Sequence, residues 1–122
     1  MPKKSIAFIV YVNDAPAAAL FYADLLDIEP TFETPRYIAF NLGDGAELAL
    51  WSGQTDTVTP ATPRTSEICL TLGDGPDVVD RLFEQWVAKG ARAVSEPHDD
   101  VFGRTFVVAD PDGNLIRVAP VD

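Results

Sequence analysis

The chain is poor in the side chains that carry most protein chemistry. Its 122 residues include one cysteine, Cys69, and one histidine, His98. A single cysteine cannot close a disulfide within the chain, so nothing points to an oxidising compartment and the expected location is cytoplasmic. Catalytic zinc or non-haem iron is usually held by imidazole together with carboxylate, and one histidine supplies little of that. Nor does a histidine on a neighbouring strand activate Cys69, which reads as a small structural residue. Positive charge is scarce as well, with nine Lys and Arg against 19 Asp and Glu and a formal net charge of −10. Nucleic-acid binding needs clustered cations, so that partner is excluded, and an anionic membrane surface is disfavoured for the same reason. The acidity serves solubility or steers a cationic ligand. Long apolar runs are absent too: Met-Pro-Lys-Lys-Ser leads into a β-pattern of about seven residues, too short for a signal core or a membrane span.

What is present suits one ordinary domain, residues 1–122, with 47% hydrophobic and 23% charged residues. Ser5 to Val12 reads as a strand. Asn13-Asp14 then offers an N-cap and Pro16 a first-turn residue for a helix over Ala17 to Leu26, with Leu20, Phe21, Ala23 and Leu25 among its apolar positions. Strands follow near Pro30 to Glu33, over Tyr37 to Leu42 and over Ala46 to Trp51, the last two joined by a Gly43-Asp44-Gly45 turn. Ser52 to Thr65, rich in Thr and Pro, reads as a linker between a first module at 5–51 and a second at 66–122.

The second module repeats the plan. Glu67 to Leu72 is a strand, Asp74 or Asp77 caps a helix over Val78 to Lys89, and that helix buries Val79, Leu82, Phe83, Trp86 and Val87 before Gly90 stops it. Ala91 to Ser95 is a short strand, and Glu96 to Asp100 a polar loop that holds His98. Arg104 to Ala109 and Leu115 to Ala119 close the chain as a hairpin through Pro111-Asp112-Gly113-Asn114, where Asp110, Asp112 and Asn114 serve the turn backbone. Both halves therefore read βαβββ, at a spacing near sixty residues.

Alternation along the strands assigns faces. Ile6, Phe8, Val10 and Val12, Leu48 and Leu50, Ile68, Leu70 and Leu72, and Ile116 and Val118 suit the helices. The opposite face is left with Ala7, Ile9 and Tyr11, with Glu47, Ala49 and Trp51, with Glu67, Cys69 and Thr71, and with Leu115, Arg117 and Ala119. The strand from Tyr37 is open, presenting either Tyr37 and Asn41 or Ile38 and Phe40. Trp86 reads as core. Trp51 differs, because Leu48 and Leu50 already pack against the helix, and its indole is free to stack on a flat aromatic ligand.

Phe102-Gly103-Arg104, a β-run, then Asp110-Pro111-Asp112-Gly113-Asn114 and a last strand resemble the closing signature of the vicinal oxygen chelate superfamily. That superfamily includes glyoxalases, extradiol dioxygenases, and fosfomycin- and bleomycin-resistance proteins. The resemblance implies an α+β fold in which two βαβββ modules form a cup-shaped mixed sheet with helices outside. Metal-dependent members place His or Glu ligands at four cup positions, held here by Ala7, Glu47, Glu67 and Arg117. The enzymatic pattern is not retained there, and neither a metal nor another cofactor is expected.

The stretches Thr34 to Phe40, Leu50 to Gly53, Pro63 to Ile68 and Asp100 to Phe106 are similar to the phenazine-resistance members, non-enzymatic sequestering relatives of the bleomycin-resistance proteins. This implies binding of a planar tricyclic antibiotic in a cavity at a homodimer interface. The 14-residue linker spans up to about 45 Å when extended, so modules can pair within a chain or across subunits. The expected ligand contacts are Trp51 as a stacking wall, Tyr11 or Phe40 opposite it, Ile9 beside them, and Glu47, Glu67, Arg117 and Arg104 meeting polar substituents, with Arg36 a further cation for a ligand carboxylate. Two other readings stand beside this one. One is an enzyme of the superfamily using Glu47 and Glu67 with a metal or as acid and base; the other is an acidic protein sequestering a cationic glycopeptide of the bleomycin kind.

Overall fold

Strands that alternate apolar with other residues need a cover for their apolar side, and each half of this chain carries one helix for the purpose. The computed structural model describes residues 5–53, 59, 61–101 and 103–120. Two compact units emerge, Met1–Thr62 and Pro63–Asp122. Residues 54–58 and 60 of the expected linker, and Phe102 of the closing motif, lie outside the described residues.

In the first unit the elements are β1 (Ile6–Tyr11), α1 (Ala15–Leu26), β2 (Phe32–Glu33), β3 (Tyr37–Gly43) and β4 (Ala46–Trp51). They form a four-stranded mixed sheet in the order β1-β4-β3-β2, with β1 parallel to β4 and the other pairs antiparallel. Asp14 caps α1, its side chain accepting from the Ala17 N–H at 3.0 Å, and Pro16 sits in the first turn where no donor is missed. The β3–β4 hairpin turns through Gly43, Asp44 and Gly45, all at positive φ. Such a run is easiest for glycine and next easiest for Asp or Asn.

The helix of the first unit meets the sheet through small residues. Its buried stripe is Ala15, Ala18, Ala19, Tyr22 and Leu25, whereas Leu20 is 77% exposed. Opposite it, Ile38, Phe40, Leu48 and Leu50 are buried almost completely. The ambiguity in β3 is thereby resolved: Ile38 and Phe40 lie opposite Leu50 and Leu48 on the helix side, and Tyr37 and Asn41 lie opposite Trp51 and Glu47 on the far side. One expectation fails at β1. Ile6 and Phe8, assigned to the helix, are 60% and 56% exposed, because α1 packs over β3 and β4 while β1 lies at the sheet's edge beyond it.

The second unit comprises β5 (Glu67–Leu72), α2 (Pro76–Ala88), β6 (Arg92–Asp100), β7 (Gly103–Ala109) and β8 (Leu115–Pro120), ordered β5-β8-β7-β6. The module is thus βαβββ again, with β5 parallel to β8. Neither Asp74 nor Asp77 caps α2. The cap is Gly75 at φ 97° with no side-chain bond, followed by Pro76, while Asp77 lies in the first turn where its charge complements the helix dipole. Val87, expected in the core, is 42% exposed, one residue past the stripe of Val79, Phe83 and Trp86.

The expected loop from Glu96 to Asp100 is instead part of β6, so His98 stands on a strand opposite Thr105. Two register shifts, between Ala93 and Ser95 and between Ser95 and His98, let the strand continue past Pro97. β6 lies at the sheet's edge, where a proline's missing donor costs least.

The Asp110 turn closes on its own side chains. Asp110 Oδ1 accepts from the Asp112 and Asn114 N–H groups at 2.9 and 2.8 Å, and Oδ2 accepts from Asn114 Nδ2 at 2.9 Å. Arg64 Nε donates to Asn114 Oδ1 at 2.7 Å, tying the approach to β5 to the turn before β8. A carboxylate this buried, at 2% exposure, is tolerated because its oxygens meet donors.

At the centre of this unit Phe106 makes T-shaped contacts with two helix rings, Phe83 at 5.2 Å and Trp86 at 5.5 Å between centroids. Phe106 is fully buried. Phe106→Ala removes both edge-to-face contacts and leaves a cavity under α2, so stability should fall by about 3–5 kcal/mol. Chemical denaturation followed by circular dichroism measures this directly, and a loss below about 1 kcal/mol would show that the cluster is not the centre of the core.

Candidate ligand site

Neighbouring residues in register share a face, so the pairing of β4 with both its neighbours decides what gathers around Trp51. Trp51 lies opposite Tyr11 of β1 and opposite Tyr37 of β3. Three aromatic residues therefore form one row across three strands, on the face away from α1. The Tyr11 and Trp51 rings are 5.8 Å apart and tilted by 38°, and Phe32 on β2 meets Tyr37 edge-on at 6.2 Å. Trp51 and Tyr37 are both half-buried. Ile9, opposite Ala49, belongs to the same face and is 47% exposed, and Glu47 stands between Ala7 and Asn41.

This placement changes the expected walls. Phe40 is not one of them, since it is fully buried opposite Leu48 on the helix side. Tyr11 is not an opposing wall either. It projects from the strand next to Trp51 in the same direction, and adjacent strands about 4.8 Å apart leave no room for a third ring between them. Tyr11 widens the wall instead. Tyr37 and Phe32 were not among the expected contacts, and a bulge in β3 is the reason for Tyr37: pairing carried straight on from Gly43 and Ala46 would set Ile38 opposite Trp51, and the register shift between Asn41 and Gly43 puts Tyr37 there instead.

The second unit carries a polar group on its own far face. Arg117 Nε donates to Glu67 Oε1 at 2.6 Å, Nη2 to Oε2 at 3.4 Å, and Nη1 to Thr105 Oγ1 at 3.1 Å. Thr105 is fully buried and donates in turn to the Val118 carbonyl at 2.7 Å. The guanidinium is thus held by a two-point charge-assisted pair and a fixed hydroxyl, and the hydrogen bonds to Glu67 raise its pKa above the ordinary arginine value. His98, opposite Thr105, extends the polar row onto β6, with Nδ1 2.8 Å from the Glu96 carbonyl.

Arg104 leaves the site. Its Nε bonds Asp80 of α2 at 3.0 Å and its Nη1 bonds Asp99 at 3.4 Å, so it straps the helix to the sheet on the face opposite Arg117. Alternation accounts for this, because Arg104 shares the side of Phe106, two residues on. Among the described residues no group of three or more His, Cys, Asp or Glu side chains is close enough to hold a metal.

A model of the glyoxalase/bleomycin resistance protein/dioxygenase superfamily matches residues 5–118. The chain belongs to that superfamily. It is 44% identical over 117 residues to the phenazine antibiotic resistance protein EhpR of Enterobacter agglomerans, covering 93% of this chain and 89% of that protein. Among solved structures, the protein ATC0852 of Agrobacterium tumefaciens is similar at 32% identity and a TM-score of 0.81, covering 100% of this chain and 99% of that one. A glyoxalase-related enzyme from Fulvimarina pelagi shares the fold at 24% identity and a TM-score of 0.81, covering 99% of this chain and 89% of its own. Of the four residues expected at cup positions, Ala7 and Glu47 lie side by side in the first unit, and Glu67 is bonded to Arg117 in the second.

Cys69 lies beside Arg117 in register and reports on this pair. The residue is exposed, yet desolvation of the sulfur pushes its thiol up, with Arg117 lowering and Glu67 raising it. Its alkylation should therefore follow a pH profile whose midpoint lies above the ordinary cysteine value of about 8.5. Glu67→Gln removes a negative neighbour of the thiolate and should move the midpoint down; Arg117→Ala removes a positive one and should move it up. Rates of thiol alkylation across pH check both signs, and shifts in the reverse directions would refute the assignment of charges around Cys69.

Proposed function

We propose that this protein binds and sequesters a planar aromatic small molecule of the phenazine antibiotic type, without a metal and without transforming it. The observation that carries this reading is the row of Tyr11, Trp51 and Tyr37, a broad aromatic surface on the sheet face that α1 does not cover. A flat tricycle gains on such a surface both buried area and offset or edge-on ring contacts, each worth about 0.5–1.5 kcal/mol beyond area. Resistance by sequestration asks for no more than affinity, and the similarity to a phenazine antibiotic resistance protein supports that choice of ligand.

The residues at the superfamily's metal positions do not fit a catalytic ion. Ala7 has no donor atom, and Arg117 is a permanent cation whose N–H groups already occupy both oxygens of Glu67. The same pairing weakens the acid–base reading, because Glu67 is engaged as an acceptor before any substrate arrives. For a ligand, the Arg117 and Glu67 pair offers donors and acceptors that match carboxylate or amide substituents. Elemental analysis of purified protein should find no stoichiometric transition metal.

We further propose a homodimer acting in the cytoplasm, with ligand cavities at the interface. Its support is β1, an edge strand whose Ile6, Phe8 and Ile9 are all exposed. Such an edge, long, apolar and lacking a charged side chain, is ordinarily covered. Light scattering at micromolar concentration should give twice the chain mass, and a monomeric mass would remove the interface cavity.

Binding is tested by calorimetric titration with a phenazine carboxylate. Trp51→Ala should weaken it at least about tenfold, since 1.4 kcal/mol is a factor of ten and a truncated ring loses contact area as well as stacking. Trp51→Phe should lose less. Equal affinity of wild type and Trp51→Ala would remove the stacking role, and no binding by wild type would remove the phenazine assignment.

A further inference from the structure

The glycine two residues after Trp51 has a steric reason for being glycine. A Cβ built on Gly53 would fall on Nε1 of the Trp51 indole, with Cε2 at 2.8 Å and Cζ2 at 3.1 Å. Real Cβ atoms do not approach so closely, so with a side chain at this position either the ring or the backbone beside it must shift. Gly53 is also absent from the glycines at positive φ, which are Gly43, Gly45, Gly75, Gly90, Gly103 and Gly113. Its backbone is therefore open to ordinary residues, and the space taken by the indole is the constraint.

The backbone around Trp51 is fixed on both sides. Val12 N–H donates to the Trp51 carbonyl at 3.0 Å, and Ser52 N–H donates to the Arg36 carbonyl at 2.9 Å, continuing the β1–β4 and β4–β3 pairings past the strand's end. With the main chain held, only the side-chain torsions of Trp51 remain to set where the indole lies. The tilted contact with Tyr11 bounds the ring on one side and the bare backbone of Gly53 bounds it on another.

We infer that Gly53 is a positioning residue: its missing side chain lets the Trp51 indole fold back against the backbone, and this sets the pose in which the ring meets a ligand. The second half of this statement rests on the proposed binding of a planar aromatic molecule; the first half does not. A residue that never touches ligand thus decides how the stacking wall is presented.

The test is Gly53→Ala, with Gly73→Ala as its control. Gly73 also lies outside the positive-φ set, and a Cβ there meets nothing within 4 Å, so the same chemical change occurs without a clash. The chain has two tryptophans, Trp51 and Trp86, so two indole N–H resonances are expected, and Trp51→Phe assigns them. Gly53→Ala should shift the Trp51 resonance and leave that of Trp86 in place; Gly73→Ala should move neither. Calorimetry with a phenazine carboxylate should show Gly53→Ala binding about tenfold more weakly than wild type and Gly73→Ala binding equally. In a Trp51→Phe background, where the indole atoms that meet the new Cβ are gone, Gly53→Ala should add less than about a twofold loss.

An unmoved Trp51 resonance in Gly53→Ala overturns the inference outright. A moved resonance with unchanged affinity overturns the link from pose to binding. If wild type itself binds no phenazine, the ligand reading fails, and the resonance alone then decides the role of Gly53.

Discussion

Everything at the aromatic surface depends on β4 being paired on both sides, parallel to β1 and antiparallel to β3. Hydrogen-bonded register places Tyr11, Trp51 and Tyr37 in one row, and the period-two alternation of the pleat sends all three rings to the same face. A slip of one residue would exchange that row for Val10, Leu50 and Ile38, putting the aromatics under the helix and the aliphatics outside. Register is held against such a slip by the close packing of Leu48, Leu50, Ile38 and Phe40 beneath the alanine stripe of α1. The core thus guards the chemistry of the other face.

The same arrangement in the second unit yields a different surface. β8 lies between β5 and β7, and its far face presents Arg117, whereas the far face of β4 presents Glu47, Ala49 and Trp51. In a chain of net charge −10 a lone arginine would be a natural anchor for an anion, but this one is matched by Glu67 and steadied by Thr105. The Arg117–Glu67 pair therefore offers directional hydrogen bonding with little net charge of its own. An ion pair of this kind favours ligands that carry both a donor and an acceptor over simple anions, because a simple anion must compete with the carboxylate already in place.

Two exceptions to local expectation arise at sheet edges, where fewer neighbours constrain a strand. Ile6 and Phe8 look like core residues by composition and are exposed because β1 lies beyond the reach of α1. The run Glu96 to Asp100 looks like loop by composition and is strand, because an edge strand with bulges tolerates Pro97 and polar side chains.

What the sequence determined by itself was the repeated βαβββ order, the turns at Gly43-Asp44-Gly45 and Asp110 to Asn114, and the core identity of Leu48, Leu50, Ile116 and Val118. These follow from local rules: alternation, capping and the backbone freedom of glycine act over a few residues and are written in them. It also marked Trp51, because a large ring on a strand whose aliphatic residues already serve the helix has one face left to occupy. Only tertiary structure decided which residues stand beside it. Tyr37 joined and Phe40 left because register across a hairpin fixes facing, and Arg104 left because Asp80, far away in sequence on α2, was there to bind it. Gly53 gained its role in the same way: its sequence context allowed any turn residue, and only the folded indole filled the space where a side chain would have been.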